Sequence, residues 1–440
     1  MSDCIVIGGG LSGLATAVAL GSAGLRVQLF ESRGFLGGRA TSYPVDIGDQ
    51  TEIIDNCQHV LLRCCVNLMD FYGRLRVADR IHFYREFYFL EPGGRISYLR
   101  AGHLPAPYHF TESFLTMKCL STADKLSIAY GMQCIRREYG HRKDLDRITM
   151  LDWLKEKRQT RRSIERFWGQ VLVSAINEEL GRMAARHGFQ VFWLGFLRHK
   201  NSYEMGVPVV PLAELYDSNA WQNLGNVEFR LRTPVERIWV ERDAVYGITA
   251  AKREHTARFY VCALPFERLE SVIPELDIKP DRFQHSPITG VHLWFDRTVT
   301  ELPHAVLLDG TVQWFFNRDQ GKYLQAVISA SRSLLPMSKA EVVSLVLEEL
   351  TRYLPEVHRA KLERSRVVKE VRATFSAAPG TEQARPEART PFKNLFLAGD
   401  WTHSGWPATM EGAVRSGYLA AEAVTRAAGK PMEFVLPDLA

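Results

Sequence analysis

Glycines at positions 8, 10 and 13 form a Gly-x-Gly-x-x-Gly spacing, and a carboxylate, Glu31, follows eighteen residues after the last of them. Gly8 permits a tight turn, Gly10 lets the backbone come within contact of a pyrophosphate, and Gly13 lets a helix pack close to a strand. With Leu11 and Ser12 these residues would present backbone amides at a helix N-terminus to a diphosphate, while Glu31, with Ser32 beside it, would hold ribose hydroxyls. Gly37-Gly38-Arg39 would add more backbone and one fixed guanidinium to the same diphosphate, something a simple nicotinamide dehydrogenase does not need. FAD is therefore expected rather than NAD, and Glu31 would repel a nicotinamide 2′-phosphate. Near the other end, Gly399-Asp400 closes an apolar run, so that Asp400 could hold a ribityl or phosphate group. Thr409 and Met410 open a helix whose positive end would face a flavin pyrimidine.

A second set of residues could move protons. Asp55 and His59 are four apart; on a helix they would share one face, and the carboxylate would favour the charged imidazole. Glu86 or Tyr88 could take the acid role instead, and a purely structural His59 stays open.

The elements needed to position these groups are legible nearby. Cys4 to Ile7 is a short β-branched run, Leu14 to Leu20 is helix-forming, and Leu25 to Phe30 reads as a second strand ending at Glu31. Asn394 to Leu397 reads as a strand before Gly399-Asp400, and a small-residue helix runs from about Thr409 to Ala428. The runs 227–231, 235–240, 244–249 and 259–264 read as a β-meander. The expected architecture is α/β: a discontinuous Rossmann-type FAD-binding domain from 1–80, 205–265 and 385–440, and an α+β substrate domain from 81–204 and 266–384. The 440 residues suffice for two domains around a sizeable core.

Charge excludes some partners. Fifty-five basic against fifty acidic residues give +5, too little for a general nucleic-acid binder. Eleven Lys or Arg against six Asp or Glu between Arg136 and Arg166 carry an equal excess in one short stretch, either a solvated face or an attraction to anionic lipid. The preceding residues, 103–133, interleave aromatic and aliphatic side chains with few charges, as an interfacial helix hairpin or a lid over a cavity would. The run Val191 to Leu197 fits a core helix or the wall of a hydrocarbon tunnel. Seven cysteines without Cys-x-x-Cys or a zinc-like His spacing imply no metal site and a reducing cytoplasm. The apolar start lacks a basic n-region, and no other run approaches the roughly 18 apolar residues of a span. A cytoplasmic protein held peripherally on the inner face of the cell membrane is expected.

These motifs, Gly8 to Gly13, Gly37-Gly38-Arg39 and Ala398-Gly399-Asp400, resemble those of the flavin amine oxidase and carotenoid desaturase superfamily over essentially the whole chain. The resemblance implies that Val235 offers backbone hydrogen bonds to adenine, that Arg39 lies near the flavin, and that Met410 touches the isoalloxazine edge. The stretch Glu52 to Leu68 resembles the region of plant-type carotene desaturases that carries Gly-Leu-His, with Cys57-Gln58 in place of Gly-Leu. Together with Arg85 to Gly94 it resembles the hydroxysqualene dehydroxylases, squalene-associated flavoproteins of bacterial hopanoid synthesis. What that implies is reduction of a C30 isoprenoid, hydroxysqualene to squalene, with Asp55, His59 or Glu86 as the acid and an electron donor that the sequence does not name. The competing expectations are a polyisoprenoid desaturase, an amine oxidase, and a prenyl-binding carrier without flavin.

Overall fold

The computed structural model describes residues 2–47, 50–222 and 224–439. Its first sheet is wholly parallel, in the order 227–230, Val27–Phe30, Ser2–Ile7, Ala257–Cys262, Leu395–Leu397. Parallel strands need crossovers that cover both faces, which is why Cys4, Ile5, Val6 and Ile7 are all buried rather than alternating. The Leu11–Ser22 helix covers one face and lies against the C-terminal Met410–Ala427 helix. Their axes approach closely because Gly417 has no side chain: a Cβ there would meet the Ser12 carbonyl at 2.2 Å. Thr16 ties the crossing by donating to the Ser12 and Gly417 carbonyls (2.9 and 3.1 Å).

The expected meander is only partly present. Val235–Glu241, Ala244–Ala250 and a short Arg253–His255 strand form a three-stranded antiparallel sheet, whereas Val227–Arg230 and Ala257–Cys262, read as its outer strands, belong to the parallel sheet. Four buried positions in a row at 259–262 mark a strand covered on both faces, the pattern that separates it from its half-exposed neighbours.

A second sheet of seven strands runs in the order 362–375, His285–Phe295, Tyr323–Ile328, Trp314–Asp319, His304–Leu307, Phe87–Leu90, Ile96–Leu99. One face packs on the Lys339–Tyr353 helix through Val342, Val346 and Leu350; the other meets the helices of 122–197 through Phe87, Phe89, Phe316 and Val327. Because side chains alternate along a strand, Phe87 and Phe89 look toward those helices and Tyr88 looks away. All seven cysteines are unpaired. Among the described residues no helix is long and apolar enough to cross a membrane.

Candidate functional site

The glycine motif folds as its spacing requires. Gly8 adopts φ +107°, and a Cβ on Gly13 would meet the Gly8 carbonyl oxygen at 1.9 Å. The helix that begins at Leu11 is capped by Gly10, which has no side chain to satisfy the first-turn amides. Those N–H groups are left for an anion, where the helix dipole also favours negative charge. The Gly37-Gly38 turn lies directly against this loop: Gly37 donates to the Gly9 carbonyl (2.9 Å), and a Cβ on Gly38 would meet Gly10 Cα at 2.9 Å.

Glu31 is buried and already engaged. One carboxylate oxygen accepts from the Gly9 amide (2.7 Å), the other from the Arg33 amide (2.7 Å) and the Ser32 hydroxyl (3.0 Å). It thus knits the second strand to the glycine turn and keeps one lone pair, on the oxygen that faces Gly9, for a ribose hydroxyl. Thr233 donates to the Glu31 carbonyl (2.8 Å), which brings the start of the Val235–Glu241 strand, and so Val235, to the same edge. Arg39 donates to Asp400 (2.6 Å) and to the Ala373 carbonyl (2.9 Å), joining two segments read separately from the sequence. Gly399, at φ +151°, is held by the Ser416 hydroxyl, which also donates to Ser12 (3.2 Å), so the Ser12 side chain is spent on the helix crossing and only its amide faces the turn. Thr409 caps the last helix by accepting from Gly412 (3.1 Å), next to Met410.

One residue of this cradle was not singled out from sequence. Asn56 donates to the Arg39 carbonyl (2.6 Å), while its Oδ1 is buried without a partner. An orphaned acceptor beside Arg39 fits an N–H-bearing cofactor ring, and with the uncapped helix and paired glycine turns it makes the cradle compatible with FAD. Replacing Glu31 with Ala is expected to weaken FAD binding by about 1.5 to 3 kcal/mol for each charge-assisted bond lost. Unchanged affinity in a flavin titration would remove Glu31 from the site.

Beyond the cradle lies an apolar cavity of about 1430 Å³, open mouth included. Phe87, Phe89, Trp314 and Phe316 of the seven-stranded sheet form one side, and Val191, Leu194 and Phe196 another; the run 191–197 is therefore both core and wall. Cys57, Gln58, Cys64, Cys65 and the turn from Trp406 through Thr409, Met410 and Glu411 close the end nearest the cradle.

The acids expected from sequence are not arranged as expected. Asp55 ends the Gln50–Asp55 strand and the chain then turns without helix, so the four-residue spacing to His59 does not place the two on one face. Asp55 instead accepts from the Ser42 hydroxyl (2.6 Å) and the Leu212 amide (3.0 Å), with Arg318 at 3.4 Å. His59 turns its Nδ1 to the Cys57 carbonyl (2.9 Å), and burial lowers its pKa below the ordinary value, leaving a neutral ring at pH 7. Glu86 lies outside the cavity, in a polar surface pocket, bonded to Arg100 (2.6 Å) and to Tyr88 (3.1 Å), which shares the outward face of its strand. Asp55 is thus a structural anchor. Asp55→Ala is expected to cost about 3 kcal/mol, because the Leu212 amide and the Arg318 cation lose a buried acceptor; a shift below about 0.5 kcal/mol in chemical denaturation would refute the anchor.

The carboxyl that does line the cavity is Glu411, 1% exposed. It accepts from the Leu68 amide (2.7 Å) and from the Asn67 side chain (2.9 Å), at the first turn of the Val66–Arg74 helix. Burial outweighs these donors and pushes its pKa up to about 7, so a large share is protonated at neutral pH. A single acidic residue beside Met410 was visible in the sequence, but its burial against residues 67 and 68 was not.

Residues 11–425 match the family of flavin-containing amine oxidoreductases, and the chain belongs to it. Over 97% of its length it is 24% identical to the 15-cis-phytoene desaturase of Synechococcus elongatus, covering 98% of that protein. It is 26% identical to the hydroxysqualene dehydroxylase of Zymomonas mobilis, over 96% of this chain and 99% of the other. A triple mutant of putrescine oxidase superposes with a TM-score of 0.71 at 17% identity, covering 97% of this chain and 99% of that one, which establishes a shared fold. The chain is a flavin-dependent oxidoreductase similar to carotenoid desaturases and to a hydroxysqualene dehydroxylase, and its cofactor is FAD.

Proposed function

We propose that this member of the flavin-containing amine oxidoreductase family reduces an allylic C30 alcohol, hydroxysqualene, to squalene on the route to hopanoids. The observation that carries this reading is Glu411: a buried carboxyl, its pKa raised to about 7, in the wall of an otherwise apolar cavity, beside Thr409 and Met410. Removing hydrogen from a hydrocarbon leaves no oxygen to protonate, whereas expelling hydroxide does require an acid. In the reduction the carbon–oxygen bond breaks, a carbon–hydrogen bond forms, and the hydroxyl takes up one proton and leaves as water. Bound FAD in its reduced form supplies the hydride and is regenerated by an external reductant.

The chain's own residues supply the remainder. Glu411 protonates the departing hydroxyl, a contribution typically worth about 10² to 10⁴ in rate. The aromatic faces of Phe87, Trp314, Phe316 and Trp406 surround the position where allylic cation character develops and stabilise it through their ring quadrupoles. The apolar walls exclude the water that would otherwise trap that centre.

A second reading, oxidative desaturation of a polyisoprenoid, is supported by the similarity to phytoene and zeta-carotene desaturases. It runs electrons in the opposite direction. Anaerobic incubation separates the two: chemically reduced enzyme given hydroxysqualene yields squalene on the first reading, and only oxidised enzyme acts, on a hydrocarbon, on the second.

A substrate of this kind arrives from a membrane, and residues 104–137 form the surface that meets it. Leu104, Tyr108, Leu115, Leu126 and Tyr130 are all exposed, and Arg136 lies over Tyr108. Part of the basic excess downstream is neutralised from outside the stretch, where Arg166 pairs with Glu91 and Asp309. Apolar insertion through these exposed side chains therefore acts beside the charge that remains. Leu115→Glu combined with Leu126→Glu is expected to abolish co-sedimentation with vesicles, while added salt reduces it only partly. Retained binding in the double variant would reject this surface.

A further inference from the structure

The polar side chains that line the apolar cavity are mostly committed to protein partners. Ser174 donates to the Gln170 backbone carbonyl (2.7 Å) and accepts from the Trp314 indole (2.8 Å). Gln190 donates to the Gly405 carbonyl (2.9 Å), Gln58 faces Arg318 (3.4 Å), and Thr409 and Glu411 are occupied at the starts of two helices. Gln170 is different. It sits on the Gly169–Ile176 helix, is 9% exposed, lines the cavity, and its side-chain Oε1 is buried with no hydrogen-bond partner.

A buried acceptor left unpaired in an apolar environment is destabilising, and native structures retain few of them. A hydrocarbon entering the cavity would strip any water from Gln170 and offer nothing in return. An alcohol would donate its hydroxyl hydrogen to Oε1 and leave its own oxygen lone pairs free. A site built to bond a substrate hydroxyl discriminates strongly against the analogue that lacks it, because the site's own polar group is then stranded.

We propose that Gln170 is the specificity-determining residue that reads a hydroxyl on the isoprenoid substrate, accepting its hydrogen bond inside the cavity and selecting the alcohol over the matching hydrocarbon. This rests on the reading of the cavity as an isoprenoid alcohol site, and deepens it by naming the group that recognises the oxygen.

The test uses the oxidised, FAD-loaded full chain, which cannot reduce the alcohol, and follows tryptophan fluorescence from Trp314 and Trp406 in the cavity wall. Four probes are titrated: hydroxysqualene, squalene, and the C15 pair farnesol and farnesene, with the methyl ethers of both alcohols as controls that have no hydrogen to give. The wild type is expected to bind each alcohol about 10- to 100-fold more tightly than its hydrocarbon, with the ethers at the hydrocarbon level. Gln170→Met and Gln170→Leu, checked for wild-type FAD content and melting temperature, are expected to lose this preference. Equal affinity for alcohol and hydrocarbon in the wild type overturns the proposal, as does a preference that survives in either variant, or ethers that bind like alcohols. Should neither variant fold, the wild-type comparison with the ethers decides. A preference that depends on Gln170 in an enzyme that never converts hydroxysqualene upholds hydroxyl recognition and rejects the reductive reading alone.

Discussion

Glu411→Gln is expected to lower the rate of squalene formation by about 10² to 10⁴ while leaving FAD bound, the range lost when a general acid is removed. The substitution keeps the volume and one acceptor oxygen, so either the Leu68 amide or the Asn67 side chain at the start of the Val66–Arg74 helix keeps its partner. What it removes is the proton. The sign of the pH dependence follows from the raised pKa of about 7: the acid is protonated below that value and activity is present there, and it is lost as pH rises through 7. Glu411→Gln should flatten this limb as well as lowering the rate. Normal turnover in the variant, or an unchanged alkaline limb, would place the acid elsewhere; Asp55, His59 and Glu86 would not be the next choice, because none lines the cavity.

Gly13→Ala is expected to give a chain that either fails to fold or purifies without flavin. The added Cβ would lie 1.9 Å from the Gly8 carbonyl oxygen and 3.3 Å from the Ala263 side chain, and the first of these is backbone that cannot rotate away. Relieving the clash means moving the Leu11–Ser22 helix off the sheet, which also moves the amides that face the diphosphate. Overpacking of this kind ordinarily costs about 1 to 3 kcal/mol, and a backbone collision at this distance lies at or above the upper end. Gly73→Ala is the control, since a Cβ there meets nothing within 4 Å and the residue has ordinary helical backbone. A yellow Gly13→Ala protein with wild-type melting temperature would refute the packing role.

The nucleotide cradle was legible in the sequence because its determinants are local. Gly8, Gly10 and Gly13 act through backbone geometry within six residues, and the strand before and the helix after them read directly from side-chain pattern. The Arg39–Asp400 pair was legible only as two separate motifs; the ion pair that joins them spans the chain. The expected Asp55–His59 face is absent for a physical reason. A spacing of four means a shared face only on a helix, and the residues before Asp55 form a strand paired antiparallel with Ser42–Ile47, so the side chain leaves toward Ser42 and Leu212. Glu411 acquires its raised pKa from burial within the fold, against the pull of donors from Asn67 and Leu68 hundreds of residues earlier, and no local pattern encodes that burial. Gln170 was likewise invisible, since a glutamine on a helix reads as solvent-facing until the fold turns it into an apolar cavity.

Direction of electron flow is the point on which the reductive reading stands. Holoprotein reduced chemically under anaerobic conditions in deuterated water and mixed with hydroxysqualene is expected to form one squalene per FAD, with deuterium on the carbon that carried the hydroxyl and recovery of the oxidised flavin absorbance. Absence of squalene under these conditions, together with hydrogen removal from phytoene or squalene by the oxidised protein, would contradict it.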